Sequence, residues 1–157
     1  MNVITLLTNL RNAIHDHAAT QTWCTTTYGQ NHHVYVGVDT RKPPGADHYP
    51  LIHLFPLQKT VDEGSQSHLI GVTCGLYDAD TRTVAGKTNV VELNGIQNLE
   101  TFRKLVETAL LTADLSASHW VDLIDVTYET IEYFPYFLCA MEVRVRAELS
   151  FGDDFYQ

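Results

Sequence analysis

Between Phe137 and Leu149 the chain alternates apolar and polar positions without a break. Phe137, Cys139, Met141, Val143, Val145, Ala147 and Leu149 fall on one face of a strand, and Glu142, Arg144, Arg146 and Glu148 on the other. One face is made for burial and the other for water or a partner. Upstream, Leu123 to Phe134 is rich in Ile, Val, Thr and Tyr and predicts a second strand, with Pro135 and Tyr136 at the turn between them. A hairpin centred there sets Tyr128 against Val143, Val126 against Val145, Ile124 against Ala147 and Asp125 against Arg146. It also places Glu129 opposite Glu142, an unfavourable pair if unshielded. Proline suits the second position of a type I turn, so a four-residue loop is expected.

Helical periodicity appears twice. Val3, Leu6, Leu7, Leu10, Ala13, Ile14 and His17 share one side of residues 2 to 18, with Asn2 placed as N-cap. From about Asn98 to Ala113, Leu99, Phe102, Val106, Ala109, Leu110 and Ala113 form the inner face. Glu100, Arg103, Lys104 and Glu107 form the outer one, and Glu100 and Lys104 are spaced for an ion pair. Between these helices the pattern is that of strands. Thr20 to Tyr28 and His33 to Val38 are rich in β-branched and aromatic residues and predict a short hairpin across Gly29-Gln30-Asn31. Residues 41 to 47, with two prolines and a glycine, are an exposed connection.

Tyr49 to Leu57 is a strand bracketed by Pro50 and Pro56, which suggests a sheet edge or a bulge. Ser67 to Tyr77 is its partner, and the polar stretch from Gln58 to Gln66 between them reads as a long, mobile connection. Asp78 to Thr88 is a second polar connection, and Asn89 to Leu93 a short strand closed by Asn94-Gly95. Trp120 is expected to anchor the approach to the final hairpin in the core. The fold class predicted is α+β: a mostly antiparallel twisted sheet with two amphipathic helices packed on it and a long C-terminal hairpin, within a single domain.

Composition narrows the functions. At 157 residues, 45% hydrophobic and 10% aromatic, the chain is that of one globular domain with a proper core. No apolar run spans a bilayer, and the N-terminus has no basic region followed by an apolar core, so a soluble protein is expected, without membrane contact. The net charge of −9, with 10 basic and 19 acidic residues, disfavours tight nucleic-acid binding, although an acidic surface can let DNA slide past. Cys24, Cys74 and Cys139 are odd in number and widely spaced, as expected of buried free thiols in a reducing compartment.

Candidate chemistry is sparse. His15 and His17 are two apart on a helix, His32 and His33 would face opposite sides of a strand, and His48, His53, His68 and His119 are scattered, so no metal site is expected. Gly86-Lys87-Thr88 lacks the upstream glycine of a phosphate loop, since residue 81 is Thr81. No glycine-framed serine or loop cysteine offers a nucleophile. The pairs Asp62-Glu63, Asp78 with Asp80, and Asp153-Asp154 lie in polar stretches and read as solvated acids rather than catalytic ones. No enzyme signature and no cofactor is expected.

The order of elements carries more than any motif. An N-terminal amphipathic helix, a strand Tyr49-Pro-Leu-Ile-His-Leu-Phe55, a second strand from Ser67 to Asp78, a helix from Leu99 to Leu111 and an alternating strand from Phe137 to Leu149 follow one another. This order resembles the tail terminator, or tail completion, proteins of long-tailed bacteriophages, in which a strand begins with an aromatic-proline pair like Tyr49-Pro50. The resemblance implies a ring, hexameric in that family, that caps the tail tube, ends its polymerisation and meets the head connector. It implies as partners other copies of the chain, the tail tube protein and the neck protein, with DNA passing the lumen, and a place in the virion after assembly in the host cytoplasm. The segments 41 to 47 and 79 to 97 are longer than in small family members, which leaves open a related neck or minor tail protein, or a small adaptor. The candidate ring contact is the polar face of the terminal hairpin, with Asp125, Glu142, Arg144 and Arg146. The candidate tube-docking loop carries Lys59, Asp62 and Glu63.

Overall fold

The computed structural model describes residues 2–39, 41–83, 86–87, 89–116, 118–128 and 133–148. The chain opens with α1 (Val3–Asp16), whose Asn2 Oδ1 accepts the Thr5 amide at 2.9 Å as an N-cap. Leu6, Leu7, Leu10 and Ile14 recur at helical spacing and are buried, as the periodicity predicts. The expected strand from Thr20 is instead a helix, α2 (Ala18–Tyr28), closed by Gly29 at φ 72° with its amide on Thr25 O at 3.0 Å. The β-branched run gave the wrong signal because packing decides here. Thr20 and Cys24, four apart, are buried, and Trp23 stacks on Phe102 with ring centroids 5.7 Å apart. The Thr25 hydroxyl bonds back to Gln21 O, which answers its polarity within the helix.

There is accordingly no hairpin across residues 29 to 31. The strand β1 (His33–Val36) pairs in parallel with β2 (Leu51–Asp62), from His33 against Leu51 to Val36 against Leu54. The connection between them runs through the Pro43-Pro44 stretch and ends in one turn of 3-10 helix at Ala46–His48. As the prolines suggest, β2 bulges between Pro56 and Gln58. It then continues straight into β3 (Ser65–Tyr77) through a tight turn at Glu63 and Gly64, with Gly64 at φ 85° and Asp62 opposite Ser65. The segment from Gln58 to Gln66 is therefore not a mobile loop. It is the end of a long hairpin, because Thr60, Val61, Ser65 and Ser67 can continue the ladder once a left-handed glycine makes the turn.

After β3 come two short paired strands, β4 (Thr81–Thr83) and β5 (Val91–Leu93), then α3 (Asn94–Leu111), β6 (His119–Tyr128) and β7 (Tyr136–Glu148). The five-stranded sheet has the order β1-β2-β3-β7-β6, antiparallel except at β1. This is the α+β class that the sequence predicts, with a third helix and one parallel strand added. The ladder between β3 and β7 is unbroken from Ser65 against Glu148 to Tyr77 against Tyr136. The alternation from Phe137 is realised through Glu148: Phe137, Cys139, Met141, Val143, Val145 and Ala147 are all buried. Leu149 and Glu129 lie outside the described residues.

Asn94 and Gly95 were expected as a turn before a helix at Asn98, but they form the first turn of α3. Gly95 is what lets the helix start early: a Cβ there would stand 2.3 Å from the Phe137 ring. A helical glycine replaced by alanine ordinarily gains about 0.5–1 kcal/mol. Gly95→Ala is expected to reverse that sign and cost about 1–3 kcal/mol by overpacking, read as a lower urea midpoint at unchanged slope.

The core lies between the sheet and the helices. Ile70, Val72, Cys74 and Leu76 of β3 and their neighbours on β7 meet Leu6, Leu10 and Ile14 of α1 and Phe102, Val106 and Leu110 of α3. Cys24, Cys74 and Cys139 are buried free thiols. Burial pushes the Cys24 thiol up to about 12. Arg103, expected on the outer face of α3, is also buried. It earns its place through a two-point bond to Glu100 with both distances 3.0 Å, and a further bond to Glu107. The spaced pair of Glu100 and Lys104 forms at 3.1 Å.

Candidate assembly surface

The face of the sheet away from the helices divides in two. Over the half nearest Tyr49, aromatic rings close over glycines. Phe55 covers Gly71, and Tyr49 covers Gly75, where a Cβ would come within 2.4 Å and 2.8 Å of the respective rings. Tyr136 joins Tyr49 and Tyr77, each at 5.2 Å between centroids. The half nearest the turn at Glu63-Gly64 carries no such cover among the described residues. There the rows across the sheet run Gln58, Leu69, Arg144, Leu123 and then Thr60, Ser67, Arg146, Trp120.

The candidate ring residues all lie on this face, but not in the expected pairing. β6 and β7 meet with Asp125 opposite Glu142, Ile124 opposite Val143 and Tyr128 opposite Cys139, four residues from the expected register. An even shift keeps every side chain on its expected face, so Asp125, Glu142, Arg144 and Arg146 remain together there. Asp125 does not reach Arg146. Its place is taken by Asp122, whose Oδ2 stands 3.2 Å from Arg146 Nε, beside a bulge between Val121 and Leu123. Arg144 makes no hydrogen bond or ion pair among the described residues. Trp120, expected in the core, is 42% exposed next to Arg146, and Leu123 is 40% exposed next to Arg144. β6 begins at His119, four residues earlier than expected, and its described ladder ends with Tyr128 opposite Cys139.

The candidate docking residues lie on the β2–β3 hairpin end. Lys59 sits in the ladder opposite His68, Asp62 closes it, and Glu63 is in the turn itself. Sequence reasoning missed Asp122 and set Trp120 in the core because both depend on where β6 starts. A tryptophan preceded by a histidine and followed by alternating Val, Leu and Ile could have signalled an earlier strand.

Among the described residues both outer edges of the sheet are open along much of their length. β1 covers β2 from Leu51 to Leu54, and Phe55 to Asp62 has, among the described residues, a ladder on one side alone. It exposes Leu57 at 47% and Val61 at 51%. At the opposite edge β6 pairs, among the described residues, with β7 alone.

Titration follows burial. His32, His53 and His119 are held below the ordinary imidazole value, desolvation being the first cause for each. Each has a buried ring nitrogen without a partner among the described residues. Arg103 first, then Tyr128, holds Glu100 down at about 2. All four values are depressed on folding. Their contribution is present above the unfolded values, near 6.5 for histidine and 4.5 for glutamate, and is lost as pH falls through the folded ones. The urea midpoint is expected to drop as pH falls below about 6.5, first through the histidines and at lower pH through Glu100. A midpoint that is flat from pH 7 to 4 contradicts this.

Among the described residues no group of three metal-ligating side chains converges, and no helix is long and apolar enough to cross a membrane. The chain matches no family profile and no curated protein. Among solved structures, a chain from the virion of a native gene transfer agent particle is 14% identical. The likeness covers 89% of this chain and 95% of that one, with a TM-score of 0.46.

Proposed function

We propose that the protein is a structural assembly subunit of a phage-like virion: copies join into a hexameric ring that caps a tail tube, ends its polymerisation and meets the head connector. The observation that carries this reading is the pair of open edges on opposite sides of one sheet, β6 and the second half of β2. An edge strand presents unpaired amides and carbonyls, which a neighbour's strand can satisfy. Joining one edge to the other edge of the next copy is a heterologous contact, the kind that closes rings. The exposed Trp120 and Leu123 at one edge, and Leu57 and Val61 at the other, add apolar area to such a joint.

In this reading Arg144 and Arg146, with Asp125 and Glu142, flank the joint between copies. The hairpin end with Lys59, Asp62 and Glu63, at one end of the sheet, docks on the tube. The order of elements resembling tail terminators supports the placement at the tail. The acidic balance of the chain suits a lumen through which DNA passes without being held. No catalytic step is assigned.

Size-exclusion chromatography with light scattering tests the ring. A mass of about six protomers is expected as concentration rises. A mass of one protomer at every concentration, with and without tail tube protein, overturns the reading and favours a monomeric adaptor.

A further inference from the structure

Charges near the β6 edge do not balance within one chain. The outer face there carries Asp122, Asp125, Glu142 and Glu148 against Arg144 and Arg146. Asp122 is taken by Arg146 at 3.2 Å. Asp125 and Glu142 stand directly opposite each other, both exposed, and neither makes an ion pair among the described residues. Carboxylates facing each other across a ladder repel, and a cation brought beside them relieves the repulsion.

The far edge holds such a cation. The chain leaves β1 at Gly37, whose amide bonds to Leu54 O at 3.0 Å, and the Lys42 amide bonds back to Asp39 O at 3.0 Å. Asp39 is occupied by Arg41 at 3.1 Å, and Asp47 stands 3.7 Å from the His48 ring. Lys42 is exposed, shares a cleft with Tyr35 of β1, and makes no ion pair among the described residues. Its height on the sheet matches that of the acid pair. One row runs Phe55, Gly71, Glu142, Asp125, and the chain leaves β1 next to Leu54, beside the start of that row. β1 and β6 are the outermost strands, four strand spacings or about 19 Å apart. Within one chain Lys42 stays beside β1, whereas the next copy placed edge to edge brings its own Lys42 alongside Asp125.

We propose that the joint between copies is built from these two edges: the segment at Arg41 and Lys42 of one copy docks against β6 of the next and sets Lys42 beside Asp125 and Glu142. The inference rests on the ring reading for its second copy, and adds which edges meet and which charges align them. With Arg144 close by, the two carboxylates are then matched charge for charge. An exposed ion pair adds little affinity; its effect is on the choice of partner. Two β6 edges brought together would set Asp125 and Glu142 against the same acids of the other copy, which disfavours a two-fold dimer and leaves the head-to-tail contact that closes a ring.

The test uses the full chain carrying K42C and D125C, well above the concentration at which it assembles, with a short bifunctional maleimide. The native thiols are buried, so each single variant is expected to run as a monomer on a denaturing gel and the double variant as a ladder of covalent oligomers. A ladder that stops at the dimer, or cross-linking of D125C alone, overturns the assignment of edges. In sedimentation velocity, K42E alone or D125K alone is expected to raise the concentration needed for assembly roughly tenfold, and the two together to restore it; far-UV circular dichroism confirms that each variant folds. Assembly that gives no ladder and ignores both reversals overturns this joint while leaving the ring. A chain that never assembles overturns both.

Discussion

Phe102→Ala is expected to destabilise the protein by about 4 kcal/mol, the largest effect of any single truncation here. Phe102 is fully buried near the middle of α3. Its ring is stacked at 18° on Trp23 of α2 and lies 6.5 Å from His32 just before β1. Removing it leaves a cavity where two helices and the first strand meet. Large aromatic truncations in cores cost about 3–5 kcal/mol, against a total stability on the order of 5–15 kcal/mol for a domain. Urea unfolding should show the midpoint fall, and near-UV circular dichroism should show a weaker Trp23 signal, because the indole loses the ring it stacks on. A loss below about 1 kcal/mol contradicts the role given to Phe102, since it means that the neighbours collapse into the space.

Asp78→Ala comes next, at about 3 kcal/mol. Asp78 is 7% exposed at the end of β3. Its Oδ2 accepts from Tyr28 Oη at 3.2 Å, Asn94 Nδ2 at 3.2 Å and Asn98 Nδ2 at 3.0 Å, while Oδ1 accepts the Asp80 amide at 3.0 Å. One carboxylate therefore ties α2 and α3 to the sheet. Alanine leaves four donors in a half-buried site without their acceptor, and the cost of stranded donors exceeds the net worth of the bonds themselves. The double variant with Tyr28→Phe is expected to lose less than the sum of the two single losses, because the pair shares one interaction. Simple additivity in that cycle removes the assignment. The same bond helps to raise the Tyr28 hydroxyl far above its ordinary value, after desolvation and the nearby charge of Asp78.

Much of this architecture is legible in the sequence where one period dominates. α1 and the buried face of α3 follow the 3.6-residue repeat, and β7 follows the repeat of two. Other features depend on partners distant in the chain. The run from Thr20 to Tyr28 has strand-forming residues but becomes helical because Thr20 and Cys24 are buried on one face and Trp23 stacks on Phe102 of α3. Arg103 looks like a surface residue until Glu100 and Glu107 are seen to answer it at the helix edge. Asp78 reads as a loop acid, although the three side chains that claim it come from α2 and the start of α3.

The candidate assembly surface divides in the same way. Alternation alone determined that Glu142, Arg144 and Arg146 share a face turned away from the core, and that Asp125 lies on that face too. It could not determine which residue of β6 stands opposite which residue of β7, because a period of two is unchanged by any even shift. Only the tertiary structure gives Arg146 to Asp122, leaves Arg144 in a cleft and brings Trp120 out beside them. The physical reason is that burial pattern is a property of each strand by itself, written locally in its side chains. Register, edge exposure and the pairing of charges belong to two strands at once, and are fixed by loop length, bulges and the packing of every element around them.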